Sequence, residues 1–250
     1  MIYLLLTKKT YAVGHRMTKA WKGDAIMLDK NEIQLLVKHL SFWDKLTDRQ
    51  KDTFLNHTSV TRYGKDSSIH TADLDCVGLL LPKSGTLRVY ILSEEGKEVT
   101  LYRIHPFNVC ILSAACVLQT ITFDISIDAV TDCELLQVDS STFSALMQEN
   151  VYVEAYAYKM ATERFSDAMW AMQQILFMSF DKRLAIFLLD ETAKTGSHRL
   201  QMTHEEIAKY MGSAREVVSR MLKYFSSEGL VRLSRGEILI TDRKKMMTLV

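Results

Sequence analysis

The sequence predicts an α+β chain: a strand-rich first half, one long helix, and a C-terminal pair of short helices closed by a hairpin. Three observations carry that prediction. Seven short β-prone runs punctuated by turn residues lie between positions 59 and 138. Val151–Phe177 contains neither proline nor glycine, so nothing in it breaks a helix. Met202–Leu222, MTHEEIAKYMGSAREVVSRML, reads as two helices hinged at Gly212.

The composition fits a globular chain. Its 250 residues suffice for two modest domains, 48% are hydrophobic, and only two are proline. No apolar run approaches the ~20 residues that cross a bilayer, and Ile2–Leu6 is too short for a signal-peptide core, so no membrane role is expected. Cys76, Cys110, Cys116 and Cys133 show neither CxxC nor Cys/His zinc spacing. A chain of this size needs no disulfide, which predicts a reducing, cytoplasmic home.

In chain order, residues 1–29 are an N-terminal extension without assignable pattern; Met27 stands where the patterned part begins. Glu32–Leu40 and Thr47–Asn56 read as short helices around Phe42 and Trp43. The expected strands are Ser59–Arg62, Ser67–His70, Cys76–Leu81, Thr86–Leu92, Glu98–Ile104, Ile125–Ala129 and Glu134–Val138. Many short strands with turns such as Lys83-Ser84-Gly85 between them predict a sandwich or barrel. Ser140–Met147 is a short helix and Val151–Phe177 a long one, spanning about 40 Å at 1.5 Å per residue. Val153, Ala157, Met160, Ala161, Ala168, Ala171, Met172 and Ile175 recur along it at helical spacings. Burial within one chain and a seam between two copies both explain that stripe. Asp181–Lys194 and Asp242–Leu249 are further helices.

Thr203 with Glu206, and Ser213 with Glu216, each have the capping-box spacing that starts a helix. Gly212 supplies the left-handed turn between them. On a wheel, Arg215, Ser219, Lys223, Glu216 and Arg220 share an arc of about 140°, opposite the apolar Val217, Val218, Met221, Leu222 and Phe225. A merely solvated amphipathic helix would look the same. The segment C-terminal to it favours a ligand: Leu230–Leu233 and Glu237–Ile240 form a hairpin over Ser234-Arg235-Gly236, which completes a winged helix-turn-helix. From Arg199 onward ten basic residues face six acidic ones, about +4 against +1 for the whole chain, a balance that suits a phosphate backbone.

Arg215-Glu216-Val217-Val218-Ser219-Arg220 resembles the Arg-Glu-x-x-(Ser/Gly)-Arg signature of the Crp/Fnr family of bacterial transcription regulators. Val217 stands where Thr is common and Ala214 where Ser is frequent; in relatives those hydroxyls help hold phosphates. The resemblance covers residues 31–250. It implies a double-stranded, jelly-roll-like β-roll sensor over 30–148, a dimerisation helix over 149–178 and a winged helix-turn-helix over 179–250. It also implies a homodimer on a palindromic operator in double-stranded DNA with TGTGA- or TTGA-like half-sites, RNA polymerase as a partner, and a small-molecule or redox signal. Arg215 and Arg220 would donate to guanine, Glu216 would accept from cytosine, and Ser219 can do either. Thr203, His204, Ser213, Lys223 and Arg235 are candidates for phosphate contacts; a solvated surface position is the plainer reading of each.

Cyclic-nucleotide-binding relatives hold the phosphate with Gly-Glu and Arg-Ser pairs. Here the corresponding stretch runs from Pro106 to Cys116 and on to Thr120-Ile-Thr-Phe123, with no Arg or Lys between Arg103 and Lys159. Ala168-Met169 replace the hydroxyl pair of the long helix. Both features argue against cyclic AMP. The iron–sulfur relatives' N-terminal cysteines are missing, which argues against that cluster. The candidate sensor residues are Cys110, Cys116, Met169, Trp170 and Met172. Thiol redox chemistry at Cys110 and Cys116 competes with their being ordinary buried cysteines. A haem on His105 or a small apolar ligand stays open.

Other classes fare worse. A cupin-like metalloenzyme needs closely spaced histidines, whereas His57, His70 and His105 are isolated. A serine hydrolase needs a G-x-S-x-G elbow that is absent. A winged helix used for protein contact leaves the Arg215/Glu216/Ser219/Arg220 face unexplained. The chain is not expected to be an enzyme.

Overall fold

The computed structural model describes residues 28–71, 76–111 and 124–250. Most of the N-terminal extension, with Met27, lies outside these residues, as do Cys116 and the stretch up to Phe123.

The described residues open with two short helices, α1 (Lys30–His39) and α2 (Asp48–Asn56), with a single 3-10 turn at Trp43–Lys45 between them. Each begins with a capping box, Asp29 with Glu32 and Thr47 with Gln50, so side chains satisfy the first free amides. Among the described residues seven strands follow: β1 (Thr58–Tyr63), β2 (Ser68–His70), β3 (Leu79–Ser84), β4 (Leu87–Leu92), β5 (Glu98–Ile104), β6 (Ser126–Ala129) and β7 (Cys133–Val138). They form two antiparallel sheets, β1-β7-β3 and β2-β6-β4-β5. Both contribute to one core, through Leu79 and Leu81 of β3, Leu87 and Val89 of β4, Ile127 of β6 and Leu136 of β7.

The third strand starts later than expected, at Leu79, because Gly78 sits at φ 82 outside the extended region. It also runs past Pro82 to Ser84. Proline is tolerated there because β3 is an edge strand, and the register shifts between Pro82 and Ser84.

Helices α3 (Ser140–Glu149) and α4 (Val151–Phe177) come next. The predicted stripe on α4 is buried at Val153 and Ala157, half-buried at Met160, Ala161, Ala168 and Ala171, and exposed at Met172 and Ile175. Val153, Tyr156 and Ala157 are buried against the roll. Beyond them Phe165, Met169, Trp170, Met172, Ile175, Leu176 and Phe177 are exposed, Phe177 by 80%.

The C-terminal domain consists of α5 (Phe180–Thr195), β8 (Arg199–Leu200), α6 (His204–Met211), α7 (Arg215–Ser227), β9 (Val231–Ser234), β10 (Glu237–Ile240) and α8 (Arg243–Met247). Strand β8, too short to signal itself in the sequence, pairs with β10 and makes the hairpin a three-stranded sheet. Leu184 and Leu188 of α5, Ile207 of α6, Val218, Leu222 and Phe225 of α7, and Ile238 of β10 fill a separate core.

The two domains meet along β5. Arg103 of β5 makes a two-pronged ion pair with Glu191 of α5, which also receives Lys194 at 3.1 Å. The Arg103 guanidinium lies 4.6 Å from the centre of the Tyr210 ring, which stacks on Phe187. Thr100 donates to the Lys209 carbonyl at 3.1 Å, and Lys65, in the turn after β1, reaches Glu206 at 3.4 Å. Burial pushes the Glu191 carboxyl up, but the hydrogen bonds and charge of Arg103, with Lys194, outweigh it and hold the pKa below the ordinary carboxylate value. A depressed carboxylate pKa means that the pair stabilises docking above the ordinary value and loses that contribution as pH falls through the lowered one.

Removing one partner of a buried pair costs up to about 3–5 kcal/mol, less where separation returns the orphan to water. Glu191→Ala should therefore loosen the docked arrangement, raising the radius of gyration in small-angle scattering. The exchanged pair Arg103→Glu with Glu191→Arg should recover the compact value. An unchanged radius in the single variant would show that other contacts hold the domains.

Candidate nucleic-acid interface

The helix pair forms from local signals. Thr203 Oγ1 accepts from the Glu206 amide at 3.1 Å while Glu206 accepts from the Thr203 amide at 2.7 Å, closing the first predicted capping box. The Thr203 hydroxyl hydrogen also goes to Glu206, at 2.9 Å, so the cap already uses the donor this residue would offer a phosphate. Gly212 ends α6 at φ 59, ψ 43, in the left-handed region.

The second predicted capping box does not form. Ala214 is the N-cap of α7, with no side-chain cap. The Ser213 amide instead bonds the Ala208 carbonyl at 3.0 Å, the closing bond of a Schellman-type end. Ser213 thus completes α6 rather than starting α7, and it sits half-buried in the turn.

Helix α7 buries Val218, Leu222 and Phe225 and turns its other face outward. There Arg215, Glu216, Ser219, Arg220 and Lys223 line one open groove. The two arginines, Glu216 and Lys223 are exposed. None of the four takes part in an ion pair among the described residues. Unpaired donors and one acceptor on a protruding helix can meet base edges without first breaking protein contacts. Ser219 differs: its Oγ lies 2.7 Å from Nδ1 of His204, the first residue of α6. Burial lowers the His204 pKa, and the charges of Arg215 and Lys223 lower it further.

Arg235 is exposed at the hairpin tip. It shares a second cleft with Gln201, Met202, Thr203, Glu206 and Glu237, so wing tip and helix start border one depression. Arg199, counted among the basic residues, is paired with Glu237 at 3.1 Å. No sequence signal points to Lys65, whose partner Glu206 lies 141 residues away.

The four sensor candidates among the described residues are not brought together. Cys110 is fully buried, its amide and carbonyl paired with Leu80, while Cys116 lies outside the described residues. Met169, Trp170 and Met172 are about half exposed and line a surface groove with Leu176 and Phe177; they point away from Cys110 because they lie beyond the part of α4 that packs on the roll. Cys76, expected to be a thiol, is disulfide-bonded, whereas Cys110 and Cys133 form no disulfide. Where α4 does face the roll, Arg164 stands 5.3 Å over the Tyr102 ring and pairs with Asp167 at 2.7 Å. Arg164 Nε and the Tyr102 hydroxyl are buried without a hydrogen-bond partner among the described residues. No group of three or more His, Cys, Asp or Glu placed to hold a metal occurs among the described residues, and no helix there is long and apolar enough to cross a membrane.

Comparison with known proteins agrees with this architecture. Residues 182–249 match the model of the Crp-like helix-turn-helix domain and residues 60–150 that of the cyclic nucleotide-binding domain. The transcriptional activator protein anr of Pseudomonas aeruginosa is 23% identical over 67% of this chain and 70% of its own. The cyclic AMP receptor protein of Thermus thermophilus is 27% identical over 66% and 75%. The crystal structure of a crp/fnr-family transcriptional regulator from Eubacterium rectale is 43% identical with a TM-score of 0.81, covering 85% of this chain and 98% of that one. Sequence and fold together place this chain in the Crp/Fnr family of DNA-binding transcription regulators, which are not enzymes.

Proposed function

We propose that the chain works in the cytoplasm as a homodimer that reads a palindromic, TGTGA- or TTGA-like operator through Arg215, Glu216, Ser219 and Arg220. The observation that carries this reading is the groove on α7, where these side chains and Lys223 converge on the face opposite the buried Val218, Leu222 and Phe225. Arg215 and Arg220 suit guanine O6 and N7, and Glu216 suits a cytosine amine. Lys223 within the groove, His204 at the start of α6 and Arg235 at the wing tip are cations or donors for phosphates, which position the protein without reading sequence.

The exposed apolar face from Phe165 to Phe177 supports the dimer. Leaving seven large apolar side chains in water forfeits about 25 cal/mol per Å2, and a second α4 covers them most simply. Two-fold pairing also suits recognition helices that enter major grooves about 34 Å apart.

A small-molecule or redox signal would act through the roll and α4, shifting the population of DNA-competent arrangements, with RNA polymerase as the downstream partner. The buried Tyr102 hydroxyl and Arg164 Nε, without a hydrogen-bond partner among the described residues, favour a polar ligand between roll and helix over redox chemistry at Cys110, which is sealed in the core.

Arg220→Ala should cost about 1–3 kcal/mol of discrimination per half-site in a duplex-selection assay while leaving the oligomeric state unchanged. Retained selectivity would remove α7 as the reader. Trp170→Asp should produce monomers in sedimentation and abolish binding to paired half-sites; a stable dimer in that variant would place the seam elsewhere.

A further inference from the structure

The contact between the two helices of the reading unit bears on specificity. A free serine hydroxyl has one hydrogen and two lone pairs and turns to suit its partner, so alone it accepts any base edge. Ser219 is not free. Its Oγ lies 2.7 Å from Nδ1 of His204, within the normal range for a hydrogen bond. Thr203 and Glu206 fix the backbone of the turn that carries the histidine, since they close the capping box on either side of it. Of the two partners, only the half-buried serine lies on the arc of α7 that lines the groove.

We propose that His204 is a specificity-determining residue: it fixes whether Ser219 offers a donor or an acceptor to the base pair beneath it. This rests on the reading of α7 as the base-reading helix. If Nδ1 carries a lone pair, the serine hydrogen is spent on the histidine. Only oxygen lone pairs then face the groove, a pattern that accepts from an adenine or cytosine amine. If Nδ1 carries a hydrogen, the serine oxygen receives it and the hydroxyl hydrogen swings outward, a pattern that donates to guanine or to thymine O4. Burial first, and then the nearby charges of Arg215 and Lys223, disfavour the imidazolium in the free protein. DNA phosphates reverse that balance. A phosphate near Nε2 favours the doubly protonated ring, so in the complex Nδ1–H bonds Ser219, and Ser219 acts as a donor to guanine or thymine.

The test is a double-mutant cycle read by selection from a duplex library, with the full-length wild type, His204→Ala, Ser219→Ala, the double variant, His204→Asn and Arg220→Ala. His204→Ala and Ser219→Ala should each relax preference at the same single base pair, by roughly tenfold for one directed hydrogen bond. The double variant should relax it no further. His204→Asn, whose amide can occupy the Nδ1 position, should retain part of the preference. If His204→Ala weakens all sequences equally, lowers the salt dependence and adds to Ser219→Ala, the histidine is a phosphate contact alone and the inference fails. Arg220→Ala separates the two levels. Should it too leave selectivity intact, the reading of α7 itself is wrong; should it alone abolish selectivity, only the role of His204 is.

Discussion

Two constraints meet at Gly212. The chain must leave α6 in a left-handed turn, here at φ 59, and it must do so against the roll. A Cβ at this position would come 3.4 Å from both the Glu98 carbonyl and a Val99 methyl, at the tight end of van der Waals contact. A residue without a side chain therefore satisfies the turn and the docking surface at once. The turn sets the angle between α6 and α7. That angle places Val218, Leu222 and Phe225 in the C-terminal core and leaves Arg215, Glu216, Ser219 and Arg220 facing out. The contact between His204 and Ser219 depends on it as well, since the two residues sit on different helices.

The surface on which Gly212 rests is polar where the domain cores are apolar. Arg103 with Glu191, Lys65 with Glu206, and Thr100 with a backbone carbonyl supply much of the docking between roll and C-terminal domain. Such contacts fix geometry well, but each competes with water when the surfaces part. An apolar seam of equal extent would weld the domains. A polar one sets a smaller gap between docked and undocked arrangements, which a regulator needs if a signal of a few kcal/mol is to move its population. Arg88, almost fully buried on neighbouring β4, is held by Glu98 and Asp128. The sheet face behind the clasp is therefore rigid, and movement would fall at the clasp itself.

The parts of this structure that the sequence revealed are those written in local signals. The Thr203–Glu206 cap, the glycine and the two-sided α7 arise within one or two turns, and each appears in the structure as expected. The helix Val151–Phe177 starts where predicted because Asn150 caps it, and it runs on because nothing inside breaks it. Local signals mislead where one residue serves two patterns. Ser213 has the spacing of an N-cap, yet its amide closes the preceding helix. They are silent where partners lie far apart in the chain. Arg103 and Glu191 are 88 residues apart, and no periodicity records that they meet. Met169, Trp170 and Met172 look like sensor-pocket residues in the sequence because the register of α4 against the roll cannot be read from the helix alone. That register places Val153, Tyr156 and Ala157 inward and leaves the three outside.

The division of α4 follows from length. Its 27 residues span about 40 Å, more than the roll can cover, so the same apolar periodicity is buried in the first third and exposed in the last. Had the stripe served only the roll, the residues beyond Phe165 would be under no pressure to stay apolar, and a surface helix of this length would turn polar. Instead the largest apolar side chains lie where the parent domain cannot reach. In the dimer proposed above a second copy would cover them, and the same two-fold axis would relate two outward-facing α7 helices. Dimer contact and signal then share one element: Arg164 and Tyr102 lie where α4 still touches the roll, just before the exposed face begins. Any ligand that moved Arg164 would therefore act on the segment that joins roll, partner and DNA-reading domain.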